Sequence, residues 1–465
     1  MLAEPKATVG FAHEIRHRLK STDVVYDLKP DSALDFQADH ETAARSYPRR
    51  LPLAIERADG AWVRDTRGQL FLDCLAAAGS LPLGYNHPEL NAEILRQLSN
   101  GLPYQTLDLT TPNKNQFIQE LLDFLPKAMS KSARIQFCSP CGTDANEAAV
   151  KLAKLHTGRR GIVSFHGGYH GMTAGSLAMT GNLAAKERRS GLMPDVQFFP
   201  YPYSLRCPFG LGGEAGARMG LRYIESILED VESGSSLPAA FVLESIQGEG
   251  GVIPAPAFWL QEIRRITQER GILLIVDEVQ SGFARSGQRF GFEHADILPD
   301  ILVMSKAVGG GLPLAVLAFD DSIDAWRGGE HSGTFRGNQL AMATGQLTMQ
   351  IILRDGLCDH AAAMGERLRK KLVLIDSDCI GEVRGRGLMQ GVEIVNGNKL
   401  NKMGHPEPGA ERAVRVQTEA LKRGLIIERG GRQGCVLRFL PSLIINEAEI
   451  DFIADVIRRA IHATA

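Results

Sequence analysis

Short apolar runs recur through the middle of the chain, and each ends in a polar or glycine-rich stretch. Ile135-Gln136-Phe137 leads into Ser139-Pro140-Cys141-Gly142-Thr143. Gly161-Ile162-Val163 leads through Phe165 into Gly167-Gly168, and Phe241-Val242-Leu243 into Glu244 and then Gly248-Glu249-Gly250-Gly251. Ile272–Val276 runs into Asp277-Glu278, and Ile301–Met304 into Ser305-Lys306 and Gly309–Gly311. Runs of this length, bounded by turn residues, read as strands buried on both faces. Between them, Asp144–His156 opens with an acid and closes near Lys154 and Gly158. Phe258–Arg270 places Leu260, Ile263 and Ile266 at helical spacing and stops at Gly271. These are helix start and stop signals. The alternation predicts an α/β domain with a mostly parallel sheet over about 100–345.

The flanks read differently. Residues 1–50 are polar and mixed. Residues 55–75 predict a short hairpin, with Ala61–Arg64 and Leu70–Asp73 around Arg67-Gly68. Beyond about 345 come long helical patterns, then strand candidates at Gly387–Val395 and Val436–Ile445. The expected plan is a large central domain (100–345) and a smaller α+β domain built from both chain ends (1–99 and 346–465). No internal repeat or low-complexity linker interrupts it.

Composition narrows the function classes. The chain has 465 residues, 44% hydrophobic and 23% charged, which is ordinary for a globular protein. Its 52 Lys and Arg nearly balance 54 Asp and Glu, leaving a net charge of −2. That argues against nucleic acid or an anionic membrane as partner. No apolar run approaches a membrane span. The basic residues of the first twenty positions are not followed by an apolar stretch, so no secretory signal is expected. Seven scattered cysteines suit a reducing cytoplasm better than a disulfide framework. Cys138 and Cys141 form one CxxC with no second pair, so no metal site is expected.

The candidate chemistry lies where the apolar runs end, since ligands in open α/β sheets sit beyond the carboxyl ends of strands. Gly142-Thr143 would open a helix, offering backbone N–H groups and a hydroxyl suited to a phosphate. Asp277, at a buried strand end, needs a partner, and a protonated ring nitrogen would supply one. Lys306, once desolvated, would become a usable amine nucleophile. Tyr169 could lie against a planar ring. Phosphate, pyridinium nitrogen and aldehyde are the three handles of pyridoxal 5′-phosphate. A lone lysine is ordinarily a solvated surface residue, and a lone aspartate after a strand ordinarily belongs to a turn. It is their order and shared context that point to a site. Neither a GxGxxG cradle in strand–loop–helix context nor a GxxxxGK[ST] motif is present.

The segment Gly271–Gly287, with Asp277-Glu278-Val279-Gln280 at its centre, and Ser305-Lys306-Ala307-Val308-Gly309-Gly310-Gly311 resemble the signature of the class III (ω-amino acid) aminotransferases. These are pyridoxal-phosphate enzymes of fold type I, with a mostly parallel sheet of the seven-stranded type. The resemblance extends from about Leu51 to Leu443. Tyr47-Pro48-Arg49, Leu72–Ala76 and Gly168–Thr173 are most similar to members acting on L-2,4-diaminobutyrate and 2-oxoglutarate.

The resemblance implies roles residue by residue. Lys306 would bond the cofactor's aldehyde and shuttle the proton. Asp277 would pair with the pyridine nitrogen. Val279 and Tyr169 would cover the two ring faces, and Gln280 would bond the phenolic oxygen. Cys141, Gly142 and Thr143 would hold the phosphate, joined by Thr334 from a neighbouring subunit. The resemblance thus implies a homodimer with composite sites. Arg438 would bind a substrate α-carboxylate, and Glu249 would pair with Arg438 when an ω-amine is bound; a permanent salt bridge is the plainer alternative.

The implied partners are small amino and oxo acids. The implied reaction moves glutamate's amino group to L-aspartate 4-semialdehyde, giving L-2,4-diaminobutyrate and 2-oxoglutarate. Ornithine, acetylornithine or 4-aminobutyrate are rival substrates, and a mutase or decarboxylase a rival chemistry. Three departures matter. Met172 stands where several relatives carry an arginine that grips glutamate's distal carboxylate. Ser245 replaces a usual proline. Ala78 and Gly79 leave room near positions where relatives carry bulkier residues. Arg45 and Arg49 are candidate anchors for the substrate's carboxylate, or else surface charges.

Overall fold

The computed structural model describes residues 7–464 except 22, 30, 189 and 190. Its centre is a seven-stranded sheet. In spatial order the strands are Ala133–Phe137, Val316–Asp320, Ile301–Met304, Leu273–Asp277, Ala240–Leu243, Ile162–Phe165 and Val196–Phe199. Every apolar run singled out in the sequence lies in this sheet. Val196–Phe199 and Val316–Asp320 were not anticipated. Val316–Asp320 runs antiparallel to both neighbours, whereas the pairings from Ile301–Met304 through Val196–Phe199 are parallel.

The parallel strands from Ile301–Met304 to Ile162–Phe165 are buried along their whole length because helices cover both faces, while the edge strand Val196–Phe199 is buried only at Phe199. Trp259, on the helix Ala257–Glu269, packs at 5.3 Å from the Phe165 ring. On the other face the helix Gly142–Thr157 turns Ala145, Ala148, Ala149 and Leu152 inward. Small side chains there let helix and sheet approach closely.

The chain ends assemble together. Ile55–Asp59, Trp62–Asp65 and Leu70–Asp73 form an antiparallel meander, one strand more than the expected hairpin. Leu425–Ile426 adds to it in parallel beside Leu70–Asp73. A further sheet orders Ile380–Arg386, Met389–Leu400, Val436–Phe439 and Glu428–Gly430. The strand expected over Val436–Ile445 therefore stops at Phe439, where Pro441 follows after Leu440. The first fifty residues carry the helices Ala7–Leu19 and Ser32–His40, and the second is capped by the Asp31 carboxylate. Among the described residues no helix is long and apolar enough to cross a membrane.

Strand register brings the polar strand ends into line. Val276 lies opposite Leu243, and Asp277 opposite Val303. Glu244, Asp277, Ser305 and Lys306 thus emerge together at the carboxyl edge of the sheet.

Candidate active site

A cavity of about 280 Å³ opens at that edge. Its walls bring together Cys141, Gly142 and Thr143 at a helix N-terminus, Tyr169, Glu249, Asp277, Val279, Gln280 and Lys306. Nine of the sequence-derived candidates therefore share one space. Arg438 adjoins it through Gln280 and Glu249. Thr334 lies elsewhere, exposed on the turn Thr334–Gly337, and does not line the cavity of its own chain.

Asp277 ends a fully buried strand, and its carboxylate is held rigidly. Oδ2 meets His170 Nδ1 at 2.8 Å and accepts from Asn146 Nδ2 at 2.7 Å, while Oδ1 accepts from Val279 N at 3.1 Å. Burial works against a charged His170, but the hydrogen bond and charge of Asp277 prevail and raise its pKa. His170 and Asn146 were not singled out by sequence reasoning. Both lie within segments that were read for other purposes.

Lys306 follows Ser305, whose Oγ is tied to Leu314 O at 2.9 Å. Its backbone sits at φ 52°, a left-handed conformation that is strained for a residue with a side chain. Burial lowers the pKa of its amine, with Glu249 and Asp277 opposing and Arg438 reinforcing. The fold thus tolerates strain to hold one desolvated amine at the cavity wall.

Close backbone approach shapes the rest. A Cβ on Gly248 would fall 1.9 Å from Gln280 Oε1. That space allows Gln280 to accept from Arg438 Nη2 at 3.1 Å. Gly142 leaves room for Val279, whose methyls a Cβ there would meet at 3.1 Å. Thr143 Oγ1 lies 2.9 Å from Thr173 Oγ1.

Arg438 is completely buried, midway along Val436–Phe439. Its Nη1 pairs with Glu249 Oε1 at 2.6 Å and lies 3.8 Å from Glu428 Oε2, while Nε has no acceptor among the described residues. Burial would raise the pKa of Glu249, but Arg438 outweighs it and holds Glu249 in its charged form. Glu244 was also missed. Its carboxylate accepts from Tyr169 N and Gly248 N, and burial pushes its pKa up to about 7.

The departures from the family pattern meet different fates. Met172 lines the cavity and is half exposed. Ser245 is buried and donates to Glu278 Oε1 at 2.6 Å, inside a network that also takes in Ser281 and the Gly291 and Phe292 N–H groups. Ala78 and Gly79 do not line the cavity. With Ala76 and Ala77 they form a left-handed turn, its start fixed by Asp73 accepting from the Leu75 and Ala76 N–H groups. Arg45 and Arg49 are surface charges: Arg45 donates to Glu41 O and Thr42 O, and Arg49 to Ala43 O. Their neighbour Arg50 turns the other way: it lies 3.7 Å from Glu428, which in turn lies 3.8 Å from Arg438.

A buried amine, a clamped carboxylate and an open helix N-terminus in one cavity, on a seven-stranded α/β sheet, define the class. The family model of class III aminotransferases matches residues 42–461, and the chain belongs to that family. The chain is 52% identical, over 92% of its length and 92% of the relative's, to the diaminobutyrate–2-oxoglutarate aminotransferase of Rhizobium meliloti (strain 1021). It is 53% identical, over 90% of its length and 92% of the relative's, to the enzyme of that name from Haemophilus influenzae. Among solved structures it resembles a pyridoxal-phosphate-bound amine transaminase from an uncultivated Pseudomonas species, with a TM-score of 0.81, 28% identity and coverage of 92% and 98% of the two chains. An (S)-enantioselective ω-transaminase from Thermomicrobium roseum matches with a TM-score of 0.83, 28% identity and coverage of 93% and 98%.

Proposed function

We propose that this aminotransferase moves an amino group between L-glutamate and L-aspartate 4-semialdehyde, forming L-2,4-diaminobutyrate and 2-oxoglutarate in two reversible half-reactions at one site. Pyridoxal 5′-phosphate is its cofactor, as class III membership and the pyridoxal-phosphate-bound neighbour indicate. The residues fit the group: the cavity offers one buried amine, one clamped carboxylate, and a helix N-terminus with a hydroxyl beside it. When bound, it supplies an aldehyde that takes up an amine and a protonated ring that accepts the electrons of a breaking C–H bond.

Lys306 Nζ would bond that aldehyde and, once released by the incoming amine, would carry the proton to and from the reacting carbon. Asp277, held in place by His170 and Asn146, would keep the proton on the pyridine nitrogen. Val279 and Tyr169 would flank the ring, and Gln280 would donate to its phenolic oxygen. Cys141, Gly142 and Thr143 would cradle the phosphate through the helix N-terminus. Thr334 would reach the phosphate of a second copy, so that the working unit would be a homodimer. Within each chain the small domain is read as 1–99 and 346–465 and the large one as 100–345.

The observation that carries the pairing of an ω-amine with glutamate is the Arg438–Glu249 pair, and the 52% and 53% identical relatives favour diaminobutyrate as that amine. An enzyme that takes an amine from a carbon remote from any carboxylate needs no cation at that point. An enzyme that takes glutamate, whose carboxylate adjoins the reacting carbon, does need one. Glu249 masks Arg438 for the first substrate and swings away for the second. Seven free thiols suit the cytoplasm as its location. Assaying purified protein with diaminobutyrate, ornithine, acetylornithine and 4-aminobutyrate against 2-oxoglutarate tests the reading. A preference for diaminobutyrate is expected, and a strong preference for ornithine overturns it.

A further inference from the structure

Beyond the Arg438–Glu249 pair lies a second, looser pair. Glu428 and Arg438 are cross-strand partners, so their side chains share one face of the sheet. Glu428 is only 5% exposed, yet its Oε2 has no hydrogen-bond partner among the described residues. Its nearest cations stand off: Arg50 Nη1 at 3.7 Å from Oε1 and Arg438 Nη1 at 3.8 Å from Oε2. A buried carboxylate is ordinarily bonded, because desolvating it without a donor is costly. Burial accordingly raises the pKa of Glu428, with Arg438 opposing, and Arg438 links it at 3.8 Å to Glu249, which lines the cavity.

Arg50 differs in kind. It follows the turn Tyr47–Arg49, with its backbone N–H bonded to Tyr47 O, and its side chain is 42% exposed. One end of this pair is therefore solvent-accessible, the other fixed and unsatisfied. Tyr47, on the same turn, feels the charges of Glu428, Glu249 and Arg438, and burial first of all pushes its pKa up to about 12.

We propose that Arg50 and Glu428 form a receptor for the unreacting end of the substrate: Arg50 takes its carboxylate, and Glu428 takes the α-ammonium of a diamino acid. The assignment rests on the substrate reading above and extends it. A diamino acid with its ω-amine at Lys306 presents an adjacent carboxylate and ammonium at its far end. An arginine and a glutamate 3.7 Å apart are the complement of that head group. Glutamate presents only a carboxylate there. It would use Arg50 in place of the arginine that Met172 does not supply, and would leave Glu428 to Arg438. Arg50 thus serves both half-reactions, whereas Glu428 serves one.

The test uses the holoenzyme and its Glu428→Gln and Arg50→Gln variants. Each half-reaction is followed separately through the cofactor's visible absorbance, with L-2,4-diaminobutyrate, L-glutamate or 4-aminobutyrate. Glu428→Gln is expected to raise the apparent KM for diaminobutyrate by at least about tenfold relative to that for glutamate. The same variant is expected to shift 4-aminobutyrate, which lacks the α-ammonium, no more than it shifts glutamate. Arg50→Gln is expected to raise the KM of all three. Equal losses for all three in Glu428→Gln would make the residue a support for Arg438 and overturn the assignment. An unchanged diaminobutyrate KM in either variant would overturn it too. A wild-type enzyme that does not convert diaminobutyrate defeats the substrate reading itself, and the receptor with it.

Discussion

His170 Nδ1 and Asp277 Oδ2 meet at 2.8 Å in a wholly buried setting, joined by Asn146 on the same oxygen. A carboxylate fixed by two donors cannot turn away from a cationic ring nitrogen, and the charge it contributes stays in place through the reaction. The aspartate and its holders act as a unit.

Asp277→Asn keeps the volume and removes the charge. Turnover is expected to fall by at least about a thousandfold with the fold intact. His170→Leu leaves the carboxylate but frees its orientation, and a loss of about ten- to a hundredfold is expected, the scale seen when a group that orients a ligand is removed. Steady-state kinetics with circular dichroism as the folding check decides both. Full activity in His170→Leu would show that Asn146 and the Val279 N–H suffice.

Glu249→Gln leaves Arg438 unmasked. The diaminobutyrate half-reaction should suffer about tenfold or more, because its uncharged carbon chain would face an uncompensated buried cation. The glutamate half-reaction should be affected less. Stopped-flow measurements of each half-reaction separate the two. Equal effects on both would make the pair a fixed structural bridge.

Glu244 predicts a pH dependence. Its pKa rises from 4.5 to about 7 in the folded protein, mainly through burial. Between those values the folded state keeps a proton that the unfolded state releases, so its contribution to stability is greatest below pH 4.5 and is lost as pH rises through 7. Glu244→Gln removes this slope. In cofactor-free protein the melting temperature of the variant should gain on the wild type from about pH 5 to about pH 7 and level off above that. Parallel curves would contradict the assignment.

Gly248→Ala tests the packing beneath the site. The new Cβ would fall 1.9 Å from Gln280 Oε1, so the end of the Gln280 side chain must shift from the position in which it accepts from Arg438. A destabilisation of about 1–3 kcal/mol is expected, with a weakened grip on glutamate. Chemical denaturation and the glutamate KM report the two effects.

The buried parallel strands were legible in the sequence because strands covered on both faces become unbroken apolar runs, as in Ile272–Val276. Their ends then pointed to Asp277, Lys306 and Gly142 without further information. Val316–Asp320 escaped because its run merges with the glycine-rich stretch before it. The helices Ala7–Leu19 and Ser32–His40 escaped because neither carries a strong apolar face. At the site, residues that face the ligand were found through their place at strand ends and the family pattern. Residues that hold them were not: His170, Asn146 and Glu244 act through partners far along the chain, such as Asn146 on Asp277, and no local spacing encodes such contacts. Arg50 was missed by one position, since a turn decides which of Arg49 and Arg50 faces inward.

The chemistry stands or falls with a bond between one lysine and the cofactor. Lys306→Ala should lose the visible absorbance band of the holoenzyme and at least about a thousandfold in turnover. More direct still is borohydride reduction of the wild-type holoenzyme, followed by digestion and mass spectrometry. A single phosphopyridoxyl adduct is expected, on the peptide containing Lys306. An adduct on another lysine, or none with activity intact, would contradict the assignment.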